Sequence, residues 1–307
     1  MTFESIIKNI DDMPPLSDIA RVMQSLYSFG ADNVDIKKLV RMIESDVMLT
    51  ANILKMINSP YYGFKNKISS VSQAVTLFGV QKIYGLVLHF AMSNHLKADT
   101  AIYGFNNAQF NEMCILQSSL MMQWYAKVDL RDTHILTSLA LIMESGKIIV
   151  SKELHDSDYL ETYREGFLAC TNIQDFEKEF LGTTSYYLSA VLFEHWNLEP
   201  VYAEVLKELD PNEEDEVAKE SDKATKEYAN AILDPKNEKK KEIEEGANAV
   251  IKQYAAAIDV IMTAINLKEV LTEESIKKAC VKVNEMGLDG ERFETVALRI
   301  KKKYEEQ

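Results

Sequence analysis

The side chains able to hold a metal, move a proton or attack a substrate include five histidines and three cysteines in this chain. Two imidazoles reach one ion when they sit four residues apart on a helix. A catalytic divalent metal needs neutral imidazole and ionised carboxylate together. His89 and His95 are six apart, His134 and His155 stand alone, and His195 adjoins Trp196. None of these spacings presents two imidazoles to one metal, so surface or hydrogen-bonded core roles are expected. Cys114, Cys170 and Cys280 are odd in number and never form a Cys-x-x-Cys pair. That argues against a disulfide framework and a cysteine-rich zinc site, and it suits a reducing cytoplasm. No serine stands in a nucleophile elbow, and no glycine-rich phosphate loop occurs.

Recognition chemistry has one local candidate, Asn58-Ser59-Pro60-Tyr61-Tyr62. Amide and aromatic groups on a helix-ending turn make a contact surface at Asn58, Tyr61 and Tyr62. The competing expectation is that Asn58 caps backbone groups while the tyrosines pack between helices. Capping is the favoured role for Asn58, and Tyr62 stays open. Residues 35–58 also read as two helices joined by a turn, with Asn52 and Lys55 placed to face bases. A net charge of −14 and a pI of about 4.9 oppose that use. Nucleic acid is therefore not an expected partner.

These groups must be positioned by helices. Ile36, Leu39, Val40 and Ile43, and then Leu49, Ile53, Leu54 and Ile57, repeat at three and four positions. That is the period of amphipathic helices, and no long stretch alternates with period two, so the fold is expected to be all-α. Asp35 and Ser70 (with Gln73 three residues on) are expected amino-terminal caps, and Thr272 followed by Glu273 and Glu274 marks another helix start with acid in its first turn. The longest apolar stretch, Ile83 to Met92, is far short of a membrane span, and no signal peptide is evident in the first residues. A cytoplasmic protein without membrane contact is expected. Composition shifts after Pro211, where Asn212 to Glu245 is dense in charge. The expected division is a core over 1–211 (a helical subdomain at about 1–100, a second part at about 101–211) and a helical part over 212–307. Val250, Ile251, Tyr254, Ile258, Ile261 and Ile265 form a stripe expected to dock on the core, with a dimer interface as the competing outcome.

Three stretches together carry a family resemblance. Met13-Pro14-Pro15-Leu16 and Ser17-Asp18-Ile19-Ala20 form the first. Ile43-Glu44-Ser45-Asp46 through Asn58–Tyr62 to Leu77-Phe78-Gly79 form the second, and Leu141-Ile142-Met143-Glu144-Ser145-Gly146-Lys147 the third. In that order they resemble the HDOD module, a signalling relative of the HD metal-dependent phosphohydrolases. The resemblance covers roughly residues 13 to 232.

The resemblance implies a multi-helix HD-like globule and places the family's metal ligands. The first histidine falls at Met113, the His-Asp pair at Met143-Glu144, a third histidine at Ser185 and the last aspartate at Asn230. A thioether does not replace imidazole for a hard ion, and neutral Asn is a poor stand-in for carboxylate. These are expected to be vestigial positions, with no metal, no cofactor and no catalytic residue. The implied function is a non-catalytic regulatory module in a bacterial signalling pathway, binding a protein partner or a small ligand. The rivals are a residual phosphohydrolase acting on nucleotides and, more remotely, a DNA-binding regulator.

Overall fold

The computed structural model describes residues 3–28, 35–96, 100–155, 157–209 and 237–306. Among these residues the chain is all-α, as the periodicity predicted, with one isolated β-bridge between Ile265 and Val270. The amino-terminal helices are α1 (Phe3–Asp11), α2 (Asp18–Ser28), α3 (Ile36–Glu44), α4 (Val47–Ile57), α5 (Val71–Phe78) and α6 (Val80–Leu96). The central set is α7 (Asn107–Tyr125), α8 (Thr133–Ile142), α9 (Ser145–His155), α10 (Leu160–Ala169), α11 (Ile173–Leu181), α12 (Ser185–His195) and α13 (Pro200–Leu209). Three further helices follow: α14 (Asn237–Ala264), α15 (Glu273–Glu285) and α16 (Gly290–Glu305).

The caps form where the side chains that favour them stand. Asp35 accepts from the Lys38 amide at 3.1 Å, Ser70 from Gln73 at 3.1 Å and Thr272 from Ser275 at 3.0 Å. Each satisfies one of the amides a helix start leaves without a partner. At Ser70 the returning Gln73 side chain accepts from the Ser69 amide, one residue before the cap. Asn106 and Gln109 make the full reciprocal box at the head of α7.

Helix α8 packs between α6 and α7, and α9 packs on α12. Gly146 sits at a close approach of α9 to α12: a Cβ there would lie 1.7 Å from the Ser185 carbonyl oxygen. The run Thr133–His155, which joins α8 and α9, has the length and hydropathy of a membrane span, but 89% of that window is buried inside the protein. It is the inner layer of the globule.

The last three helices lie against this layer. Tyr254, Ile258, Ile261 and Ile265 are buried, whereas Val250, expected in the same stripe, remains exposed. Helix α14 packs on α13, α7 and α8, and α16 packs on α7. Phe293 meets the Trp124 ring edge-on at 5.1 Å, Gln253 Nε2 donates to Tyr125 OH, and Lys303 Nζ donates to the Pro60 carbonyl. The charged segment expected to link core and tail falls, up to residue 236, outside the described residues.

Candidate functional site

The link between α8 and α9 carries Met143 and Glu144, and Lys147 follows one turn into α9. Three residues along a helical path place Glu144 and Lys147 on one face, so carboxylate and ammonium meet. Lys147 Nζ stands 2.7 Å from Glu144 Oε2, with both side chains almost wholly withdrawn from water at 2% and 1% exposure. Glu144 Oε1 accepts from Gln117 Nε2 of α7 at 2.7 Å and from Tyr186 OH of α12 at 3.0 Å. Lys147 Nζ also donates to Ser185 Oγ at 3.0 Å and lies 4.1 Å from the centre of the Tyr186 ring.

A second buried carboxylate completes the cluster. Glu177 of α11 accepts from the Ser185 amide at 2.7 Å through Oε2 and from Tyr163 OH at 3.4 Å through Oε1. Burial pushes its carboxyl above the usual range, while the nearby Lys147 ammonium pulls it back down. One ammonium thus serves two carboxylates where the dielectric is low and an unpaired charge is costly. Burial also pushes the Cys114 thiol well up, and Glu144 adds to the shift. Cys114 is therefore a thiol in the core and not a thiolate nucleophile.

Of the expected ligand positions, Glu144 and Ser185 converge on Lys147. Met143 joins through its backbone, its carbonyl accepting from Ser189 Oγ at 2.7 Å. Met113 is buried on α7, one turn before Gln117, and Asn230 lies outside the described residues. The donor set does not fit a divalent ion. Met113, Met143 and Ser185 offer no imidazole, and Glu144 Oε1 already accepts from two protein donors while Oε2 faces the Lys147 ammonium. Gln117, Glu177 and Tyr186 were not legible as members of the cluster. The one available signal was that Gln117 stands four residues beyond Met113, on the same helix face.

The family model for the HDOD domain matches residues 13–210. The chain belongs to the HDOD family. A curated but uncharacterized protein from Treponema pallidum is 28% identical over 83 residues, a match spanning 27% of this chain and 16% of that protein. The crystal structure of an HDOD domain protein of unknown function from Geobacter sulfurreducens superposes with a TM-score of 0.59 at 14% identity, covering 99% of this chain and 93% of that one. That of a protein provisionally named a phosphohydrolase, from Shewanella amazonensis, gives 0.63 at 15% identity, covering 97% and 93%. At such identities the likeness is one of fold. The HDOD match ends at 210, yet the helices beyond it reach the buried cluster, since Gln117 Nε2 also donates to the Ile265 carbonyl at 3.1 Å.

The Asn58 motif performs internal work. Its side chain donates to the carbonyls of Leu54 and Ile68 and accepts from the Ile68 amide, pinning the end of α4 to the following chain. Tyr61 and Tyr62 are buried, their hydroxyls donating to Glu112 and to Ser118 Oγ. The contact surface that the motif suggested is thus not open at these tyrosine rings.

Histidines serve the HDOD core as well. His195 Nε2 bonds the Met13 carbonyl at 3.1 Å. His89 is buried on α6 with Nε2 3.1 Å from Asn111 Oδ1, and burial pushes its pKa down to about 4. The unfolded chain takes up this proton near pH 6.5, so stability is lost as pH falls from there and the loss levels off near 4. Over that window the native state should lose about 3 kcal/mol from this residue alone. Denaturant unfolding of His89→Gln beside the native protein at pH 7 and pH 4 measures it. The variant should gain on the native chain at the lower pH, and parallel stabilities would refute the assignment.

Proposed function

We propose that this HDOD chain is a non-catalytic regulatory module of a bacterial signalling pathway, working in the cytoplasm by binding a protein partner or a small ligand. The observation that carries the reading is the Lys147 ammonium on Glu144, the last carboxylate left among the described ligand positions. A divalent ion reaching Glu144 would have to displace that ammonium and would then face it as a like charge. The tight backbone contact at Gly146 and the engagement of Gln117 by Ile265 support a site whose parts now hold helices together. The acidic balance of the whole chain supports leaving nucleic acid out of the partners.

The rival reading is the phosphohydrolase activity for which the Shewanella relative is provisionally named. Elemental analysis of the purified full chain, with hydrolysis assays on ATP and a cyclic dinucleotide, separates the two. The expected result is far less than one metal per chain and no turnover above the blank. About one metal per chain that is lost in Glu144→Gln, together with hydrolysis, would establish the rival.

A further inference from the structure

Between the HDOD core and the carboxy-terminal helices lies a cleft of about 530 Å³. One wall is the turn joining α10 to α11, and the other is built from α14, α15 and the loop between them. Four lysines line it (Lys147, Lys268, Lys278 and Lys282) against two carboxylates, Asp259 and Glu269. Lys147 is already answered by Glu144 inside the buried cluster, so the cations that face an incoming ligand are Lys268, Lys278 and Lys282.

We infer that this cleft binds a small organic phosphate of about mononucleotide size. The volume falls in the range of small-molecule sites. Lys268 Nζ is held by the carbonyl oxygens of Cys170 at 2.5 Å and Leu168 at 3.3 Å and lies 5.1 Å from the centre of the Phe167 ring. Those partners are dipoles, so its full charge remains to be answered by an anion. Lys278 pairs with Glu274 at 2.8 Å and more loosely with Glu269 at 3.8 Å, while Lys282 pairs with Asp259 at 2.6 Å. These pairs are partly or largely exposed, and such pairs contribute little and exchange partners readily. A phosphate dianion can therefore take the lysines over. The first turn of α11 opens on the same space with the positive end of its helix dipole, its Gln174 and Asp175 amides being capped by Asn172 Oδ1. Tyr186 and Met262 supply an apolar side for the organic part of the ligand.

A molecule seated there touches the HDOD core and the carboxy-terminal helices at once, so its binding tightens their contact. The inference rests on the reading of the chain as a binding module and names the chemistry of its small ligand.

The test titrates the full chain with AMP and, separately, with inorganic phosphate, using sodium chloride of equal ionic strength as the control. Binding is read by calorimetry and by the shift of the thermal transition. Saturable AMP binding with a Kd below about 1 mM is expected, with phosphate competing for the same site. Lys278→Glu and Lys268→Glu should each weaken it at least about tenfold. Lys302→Glu, an exposed position on α16 outside the cleft, should leave it unchanged. Absence of saturable binding by either probe up to about 10 mM would overturn the inference. So would an equal loss in Lys302→Glu. A metal or hydrolysis signal, which would defeat the non-catalytic reading, is not read by this titration, so the two can fail separately.

Discussion

Replacing Lys147 with methionine is expected to cost about 3–5 kcal/mol of stability, a fall in melting temperature on the order of 10 °C. Methionine keeps most of the length and the apolar stem but removes the ammonium. Glu144 would then keep only its bonds from Gln117 and Tyr186, and Glu177 would lose the cation that offsets its burial. Removing one partner of a buried pair is costly because the other charge is stranded, whatever the net worth of the pair. Adding Glu144→Gln to Lys147→Met should therefore recover part of the loss. The recovery is measured as a coupling energy in a double-mutant cycle by denaturant unfolding. Strictly additive losses would show that Lys147 is not the counter-ion of Glu144.

Gly146→Ala is expected to be at least as damaging, about 3 kcal/mol or more, through sterics and not charge. Exchanging a helical glycine for alanine ordinarily stabilises by roughly 0.5–1 kcal/mol, so the expected sign is reversed here. The new methyl would meet the Ser185 carbonyl oxygen at 1.7 Å and the Ser189 amide nitrogen at 2.9 Å. Both are backbone atoms of α12, so relief requires the two helices to move apart. That movement would also loosen the bond from Lys147 to Ser185. Gly166→Ala is the informative control, since its methyl would meet the ring edge of Phe176 at 2.4 Å. A partly exposed ring can turn aside, so this variant should lose less than half as much. Thermal melts of both variants decide the matter, and a smaller effect at Gly146 than at Gly166 would sink the account.

The two experiments probe the same place for different reasons. The Gly146-Lys147 dipeptide lets α9 touch α12 and carries the cation of the buried cluster. In the expected metal-free state this cluster holds α7, α9, α11 and α12 in register through side chains of opposite charge and their hydrogen-bond donors. Such a network gives a single arrangement of helices only while each member is satisfied.

Local features were determined by the sequence itself. The spacing of Leu39, Ile43, Ile53 and Ile57 required helices, and Asp35, Ser70 and Thr272 marked their starts, because periodicity and capping depend on neighbours a few residues apart. That Met113, Met143 and Ser185, the positions at which the resemblance implies imidazole, carry none was equally plain, since side-chain chemistry is carried by residue type. What took its place was decided by tertiary structure alone. Gln117, Lys147, Glu177 and Tyr186 come from four helices spread over seventy residues, and no local pattern encodes their meeting. The same holds for Tyr61 and Tyr62, whose types suit a surface or a core and whose burial follows from the approach of α7. It holds too for the lysine-lined cleft, because Lys268 and Lys278 come to face the α10–α11 turn only when the carboxy-terminal helices lie against it. Burial and the long-range pairing of charges are properties of the packed chain, so they become legible only once the helices have been placed.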